Sequence, residues 1–468
     1  MLSTKVFAQR LKDFETTYEK CLKTLASLTS GNASTEPLAR FQPSLYHSLL
    51  QLTRGYHEIR RERERLVARK DRLTKAWHDK RQRVLAERQE ILMRAIRMGR
   101  TLGDAFVWFF YRDDPALLQE HARQPPPSLP PAGDGGEGEL ALIDAVRFFG
   151  DKYILFHGIT TMFRLGDASL ADLTTHRIVG IGELKTTRID EKTLNMHFQA
   201  SVQPGLSFKT TATVPTSTKM PPPEQLARLN KQMSRISRAA ASADRPPQAK
   251  MDIQVGEMAH VQDLNTLVAE TKAKKVAMRQ VSPGLVILAY RSGQRTLRSR
   301  LRDITSVPKS ALVGMEELAR SIRLEGSPHN MLIVSRAFYS DTWEPVILAG
   351  ASPMLMWHLE PEVKRAVATG AVVVATLFNP AHIFKNFVEQ GWSFERFKPP
   401  ANFSLKRQRG NGKTIEIGNL QYFLQLVAGA LYREDYVVRL LTETWIRVEA
   451  EDLTGERIDL NLTHHVYF

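Results

Sequence analysis

RLGDASLADLTTHRIVGIGELKTTR, residues 164–188, holds two strand-forming runs, Ala168 to Leu173 and Arg177 to Thr187, on either side of a Thr174-Thr175 turn. Leu170, Leu173, Val179 and Ile181 supply the apolar positions of a half-buried strand, so the two runs are expected to pair antiparallel. With the turn centred on the two threonines, partners sum to about 349 in residue number, which sets Glu183 opposite position 166 with Asp167 as its diagonal neighbour. Side chains alternate along a strand, so Glu183 and Lys185 share a face and Leu184 points the other way. An acid on one strand therefore meets an acid and a lysine on the next.

Two carboxylates held a few ångströms apart repel each other, and a hard divalent cation with oxygen ligands relieves that repulsion. A lysine two residues further along can orient a water beside such an ion, which points to metal-dependent cleavage of a phosphodiester. The same residues also fit an inert strand-end ion pair between Glu183 and Lys185 or Arg188.

An aspartate on one strand followed by Glu-x-Lys on the next resembles the signature of the PD-(D/E)xK, or restriction-endonuclease-like, nuclease superfamily. The resemblance covers roughly Glu139 to Ala241. It implies an α/β fold: an αβββαβ core with a helix at Glu139 to Phe149, a first strand at Lys152 to Arg164, the hairpin above, an added strand at Thr193 to Val202 and a helix at Glu224 to Ala241. It implies that Asp167, Glu183 and the Leu184 carbonyl bind magnesium or manganese and that Lys185 positions the water. Glu139 and Gln232 are the positions for the extra acid and glutamine that some members carry. The chain departs from the pattern where a proline often precedes the aspartate, since Gly166 stands there.

The triplet Glu/Asp-x-Lys occurs three more times, as Asp190-Glu191-Lys192, Glu270-Thr271-Lys272 and Glu362-Val363-Lys364. Glu270 and Lys272 fall in a helical stretch, Val261 to Ala277, where residues two apart face different ways. Glu362 opens a helix after Pro361, and Asp190 lies in a charged turn. Asp172 is a rival acid for the hairpin, but it sits about 15 Å down the strand from Glu183, near Arg177.

A net charge of +15 over 468 residues suits a partner that is a polyanion, DNA or RNA foremost. No apolar run is long enough to span a bilayer, so no membrane role is expected. Cys21 is the single cysteine, which excludes internal disulfides and multi-cysteine zinc sites and reads as a reducing, cytoplasmic setting. The N-terminus has no continuous apolar segment of signal-peptide type.

Phe7, Leu11, Phe14, Tyr18, Cys21, Leu25 and Leu28 step by fours and threes, the seam of a helix seeking a partner helix, either within the chain or on another protein. A longer helical stretch from Pro43 to Arg112 is expected to fold back as a hairpin. Between Arg54 and Arg100 stand sixteen Lys/Arg and seven Asp/Glu, and Arg61, Arg65, Arg69, Lys70 and Arg72 are candidates for nucleic-acid contact. The aromatic run Phe106 to Tyr111 reads as core. The expected organisation is a helical arm over 1–123, a Pro/Gly linker over 124–138, a nuclease-like domain over 139–300 and an α/β region over 301–468 of unread role. GNGKT at Gly410 to Thr414 has Arg407 where a phosphate loop needs its first glycine, so no nucleotide site is expected.

The reading that emerges is a magnesium-dependent endonuclease, with DNA favoured and bacterial antiphage defence as its setting. The alternative is a non-catalytic nucleic-acid-binding or scaffold subunit acting through the basic arm. On the first reading a core without residues 1–123 should still cleave.

Overall fold

A computed structural model describes residues 3–29, 35–112, 114–122, 129, 134–145, 148–149, 152–175, 177–188, 194–202, 249–303, 307–337, 355–396, 403–408, 414–417, 420–450 and 462–467. The fold is mixed α/β, as expected. The chain forms two compact units, Met1–Pro246 with Arg295–Asp303, and Pro247–Gln294 with Ile304–Phe468. The expected boundaries at 123 and 300 are not those of the structure, because the arm and the hairpin sheet share one core.

In the first unit, α1 (Thr4–Thr29), α2 (Thr35–Ala68) and α3 (Lys75–Tyr111) pack side by side. The expected seam Phe7, Leu11, Phe14, Tyr18, Cys21 and Leu25 is buried within the chain itself, so its partner helices are α2 and α3. Gly99 makes the close approach possible: a Cβ there would stand 2.8 Å from Leu49 Cδ2 and 3.1 Å from Phe14. The Phe106 to Tyr111 run is core, with Phe106 stacked on Phe41 at 4.1 Å between ring centroids. Buried aromatics of this size account for much of what holds such a bundle together.

Two further helices follow, α4 (Pro115–Ala122) and α5 (Asp134–Ala145). The second starts inside the expected linker, with Gly135, Gly136 and Gly138 in its first turns. Each glycine costs about 1 kcal/mol against alanine in a helix, and packing of α5 on α2 and on the sheet offsets that cost.

Strands β1 (Phe148–Phe149), β2 (Lys152–Phe156), β3 (Ala168–Asp172), β4 (Arg177–Arg188) and β5 (Leu194–Val202) form one antiparallel sheet in sequence order. The first strand of the expected core was read as Lys152 to Arg164, but β2 ends at Phe156. Beyond it the backbone amides of Thr161 and Met162 are held at 2.8 Å by Asp104 of α3, and those of Arg164 and Leu165 by His121 of α4. With those donors satisfied by side chains, the segment has no need of a strand partner. Gln42 of α2 takes the place of a strand partner beyond the short β1, donating to the Ile154 carbonyl at 2.7 Å and accepting from the Phe156 amide at 2.8 Å. The expected helix Glu224 to Ala241 lies outside the described residues.

A seven-residue helix, Leu297–Asp303, also belongs to this first unit. Arg94 of α3 donates to the Leu301 carbonyl at 2.6 Å, Arg300 pairs with Glu15 of α1 at 2.6 Å, and Arg298 lies over the Phe7 ring.

The second unit is built on a four-stranded antiparallel sheet of β6 (Val276–Ser282), β7 (Leu285–Arg291), β8 (Ile333–Ala337) and β9 (Val372–Phe378), in the order β6, β7, β9, β8. The central strands β7 and β9 are buried almost throughout, which is why both read as unbroken apolar runs. The helices Lys309–Ser321, Leu420–Ala430 and Glu434–Ala450 belong to the same unit. Among the described residues no helix is long and apolar enough to cross a membrane.

Candidate active site

The β3/β4 pairing runs Ala168 to Gly182, Ser169 to Ile181 and Leu170 to Gly180, then shifts by one residue to Ala171 with Ile178. The extra residue, Val179, forms a bulge that changes the sum of partner numbers from 349 near the turn to 350 between Leu170 and Ala168. Asp167 is fastened to β4 at two points. Its amide donates to the Gly182 carbonyl at 2.9 Å, and its Oδ2 accepts from the Leu184 amide at 2.7 Å. The amide and carbonyl of one strand residue emerge on the same edge, so the Leu184 carbonyl leaves β4 on the Asp167 side. Glu183 is buried, at 4 % exposure.

Gly166 occupies the position where the resembling family often has proline. Its φ is +73°, in the left-handed region, where proline with φ near −65° has no place. A Cβ at this residue would also stand 2.5 Å from the Gly182 carbonyl oxygen. The turn into Asp167 therefore depends on glycine.

A third acid, Glu139 of α5, lies near enough for the charge of Glu183 to act on it. Glu139 accepts from the Tyr46 hydroxyl of α2 at 2.5 Å. Burial holds its carboxyl above the usual range, opposed by the Tyr46 hydrogen bond and by Arg100 and reinforced by the negative charge of Glu183. The Tyr46 hydroxyl is pushed up by burial and by Glu139, with Asp167 adding to the shift. Arg100 of α3 is buried, and desolvation lowers its guanidinium to about 10 against the pull of Asp104, Glu139 and Tyr46. Gly158 leaves room for this convergence, since a Cβ there would meet Glu139 Oε2 and Tyr46 Cε2 at 2.7 Å each.

Behind Asp167 lies a buried relay whose proton directions can be assigned. His121 Nδ1 accepts from two backbone amides, those of Arg164 and Leu165, so the ring carries its proton on Nε2 and donates to the Tyr111 hydroxyl at 2.9 Å. Tyr111 then donates to Ser169 Oγ at 2.5 Å, Ser169 donates to His157 Nε2 at 2.6 Å, and His157 Nδ1 donates to the Gly166 carbonyl at 3.0 Å. Both imidazoles are neutral: burial lowers His157 to about 4 and His121 well below the ordinary histidine value. Ser169 is fully buried and faces His157 as a structural partner, out of reach of any substrate. The relay pins residues 164–166, and with them Asp167.

The other sequence candidates divide clearly. Asp172 pairs with Arg177 in the register and with Lys152 at 2.7 Å, and it accepts from the Thr174 and Thr175 amides; the Lys152 bond leads these in pulling its carboxyl down to about 2. It is a turn-stabilising acid at the far end of the hairpin. Lys185 is paired in register with His197 of β5; its side chain, like Gln232, lies outside the described residues. Glu270 and Lys272 are spent on surface ion pairs with Arg279 and Glu362. Tyr46, Arg100, Asp104, His121 and His157 were not among the sequence candidates, although Arg100 and Asp104, four residues apart in the apolar run from Ala95 to Tyr111, are a visible signal.

The Asp167 and Glu183 carboxylates and the Leu184 carbonyl are hard oxygen donors, the chemistry that suits magnesium, which keeps several waters of its own. Among the described residues no three of His, Cys, Asp or Glu stand close enough to enclose a metal ion.

The basic arm presents a second candidate surface. Glu58 pairs with Arg10 at 3.1 Å, Glu62 with Arg81 at 2.5 Å, Glu64 with Arg60 at 3.0 Å, and Glu90 with Arg94. These acids are consumed by ion pairs, while Arg61, Arg65, Arg69, Lys70 and Arg72 are exposed and, among the described residues, form no close ion pair, Lys70 acting on Asp79 only at longer range.

No protein-family model, no curated protein and no solved structure matches this chain.

Proposed function

We propose that the chain is a metal-dependent endonuclease of the restriction-endonuclease-like type, acting on nucleic acid, with DNA favoured and bacterial antiphage defence as the setting. The observation that carries the reading is Asp167 fastened to β4 on both sides of Glu183, its amide on the Gly182 carbonyl and its Oδ2 on the Leu184 amide. Asp167, Glu183 and the Leu184 carbonyl would hold magnesium or manganese, which supplies Lewis acidity and offsets charge on the phosphodiester in an in-line displacement. Lys185, two residues along β4, orients the attacking water. Glu139 raises the negative charge of the site, and Arg100 balances part of it from behind. Tyr46 donates to Glu139 and fixes its rotamer. Purified protein on supercoiled plasmid, linear DNA and RNA, in magnesium, in manganese and in EDTA, is the test. Cleavage that needs the metal and is lost in Glu183→Gln and Lys185→Ala supports the assignment; undiminished cleavage in both variants refutes it.

The exposed, unpaired cations of the arm favour one second reading, a non-catalytic nucleic-acid-binding subunit. It predicts tight, steeply salt-dependent binding with no cleavage under any metal.

A further inference from the structure

The turn between α2 and α3 exposes a surface that the proposed reaction does not use. Residues 69–73 form a tight 3-10 turn, with the Arg72 amide on the Arg69 carbonyl at 3.0 Å and the Leu73 amide on the Lys70 carbonyl at 3.2 Å. On one side stands Val67 at 62 % exposure, and on the other Trp77, in the first turn of α3, at 49 %. A half-exposed indole is costly to leave in water, and among the described residues Trp77 has no aromatic or cationic partner. Around it the cations Arg65, Arg69, Lys70, Arg72, Lys75 and Lys80 are all exposed. Arg61 and Arg65, one turn apart on α2 and about 6 Å along its axis, lead to Arg69, Lys70 and Arg72 in the turn beyond its end, a basic ridge running to the tip. The nearby acids are largely occupied: Glu62 and Glu64 are ion-paired, and Asp79 is bonded to His78, leaving exposed Asp71.

We infer that this hairpin tip is a contact site for an unpaired nucleic-acid strand, on which a base stacks against Trp77 while the ridge from Arg61 to Arg72 holds the phosphates. The choice of nucleic acid among polyanions rests on the endonuclease reading above. The choice of an unpaired strand rests on the tip itself. Within a duplex each base face is covered by its neighbours, and a flat, exposed ring gains a partner only from a base that is splayed out. An anionic membrane suits the surface less well, because two apolar side chains among six cations do not make the broad apolar face that an interfacial helix buries.

The test measures binding alone. Full-length protein is titrated in EDTA with a fluorescently labelled oligothymidine, with a duplex of mixed sequence, and with phosphatidylserine vesicles, while circular dichroism checks that each variant is folded. Trp77→Ala is expected to weaken oligothymidine binding between about five-fold and about 150-fold, with Trp77→Phe restoring a large part and duplex affinity nearly unchanged. The triple change Arg69→Ala, Lys70→Ala and Arg72→Ala is expected to lower the slope of log affinity against log salt by about 2. Oligothymidine binding within two-fold of the parent in Trp77→Ala overturns the inference, as does an equal loss of duplex binding or a loss confined to vesicles. A protein that binds the oligonucleotide through Trp77 and yet cleaves nothing in magnesium upholds the inference and removes the endonuclease reading.

Discussion

Asp104→Asn isolates one buried proton. Asp104 accepts from the Thr161 and Met162 amides at 2.8 Å each and from the Thr161 hydroxyl at 2.5 Å. Burial raises its carboxyl from the ordinary 3.8 to about 6, against those hydrogen bonds and the pull of Arg100. Asparagine is isosteric and keeps an acceptor for the two amides, but it does not titrate. Below pH 3.8 the carboxyl is protonated in both folded and unfolded chains, and above pH 6 it is ionised in both, so the balance between parent and variant is flat in those ranges. Between them the unfolded chain has shed a proton that the native state retains, so raising the pH favours unfolding of the parent. At about 1.4 kcal/mol per unit, the parent should lose about 3 kcal/mol relative to Asp104→Asn across that window. The assay is urea denaturation of both proteins at half-unit steps from pH 3.5 to 7, roughly bracketing the two titrations. A difference in stability that stays constant through pH 4 to 6 would refute the assignment of Asp104 as a buried proton holder.

Tyr46→Phe removes the donor to Glu139, whose carboxyl should rise further; if Glu139 acts ionised, the acid limb of a cleavage-against-pH profile moves to higher pH, and an unmoved limb counts against its role. Gly166→Ala puts a Cβ 2.5 Å from the Gly182 oxygen at a φ of +73°, and the strain of roughly 1–3 kcal/mol should appear as a lowered thermal midpoint together with weakened metal-dependent cleavage. A chain lacking residues 1–123 was expected to keep a working core. With Tyr46, Arg100, Asp104 and His121 all on the deleted part, it should instead be insoluble or inactive, and a folded, cleaving fragment would show the arm to be dispensable.

The hairpin was legible because its signal is local. Alternation and a Thr-Thr turn set β3 and β4, and only the bulge at Val179 displaced the register by one residue. The error in the first strand has a long-range cause. Nothing between Lys152 and Arg164 says that its amides are claimed by Asp104 and His121, some forty to sixty residues away. The arm misled in the same way: its apolar seam and its charges could be counted, but which acids turn inward to cross-helix arginines is decided by packing. Asp167 and Glu183 stood out as a pair, whereas Tyr46 and Arg100 belong to the site only because α2 and α3 lie against the sheet.

The short helix Leu297–Asp303 gives this protein an order of assembly. Forty-eight residues, Pro247–Gln294, leave for the second unit before the chain returns to supply the Arg300 partner of Glu15 and the carbonyl that Arg94 holds. On a ribosome adding 5–20 residues per second, that detour is a wait of roughly 2 to 10 s. During that interval the nascent arm and sheet lack their last buttress, and the earliest body of the protein cannot close until the first stretch of a later one has been made.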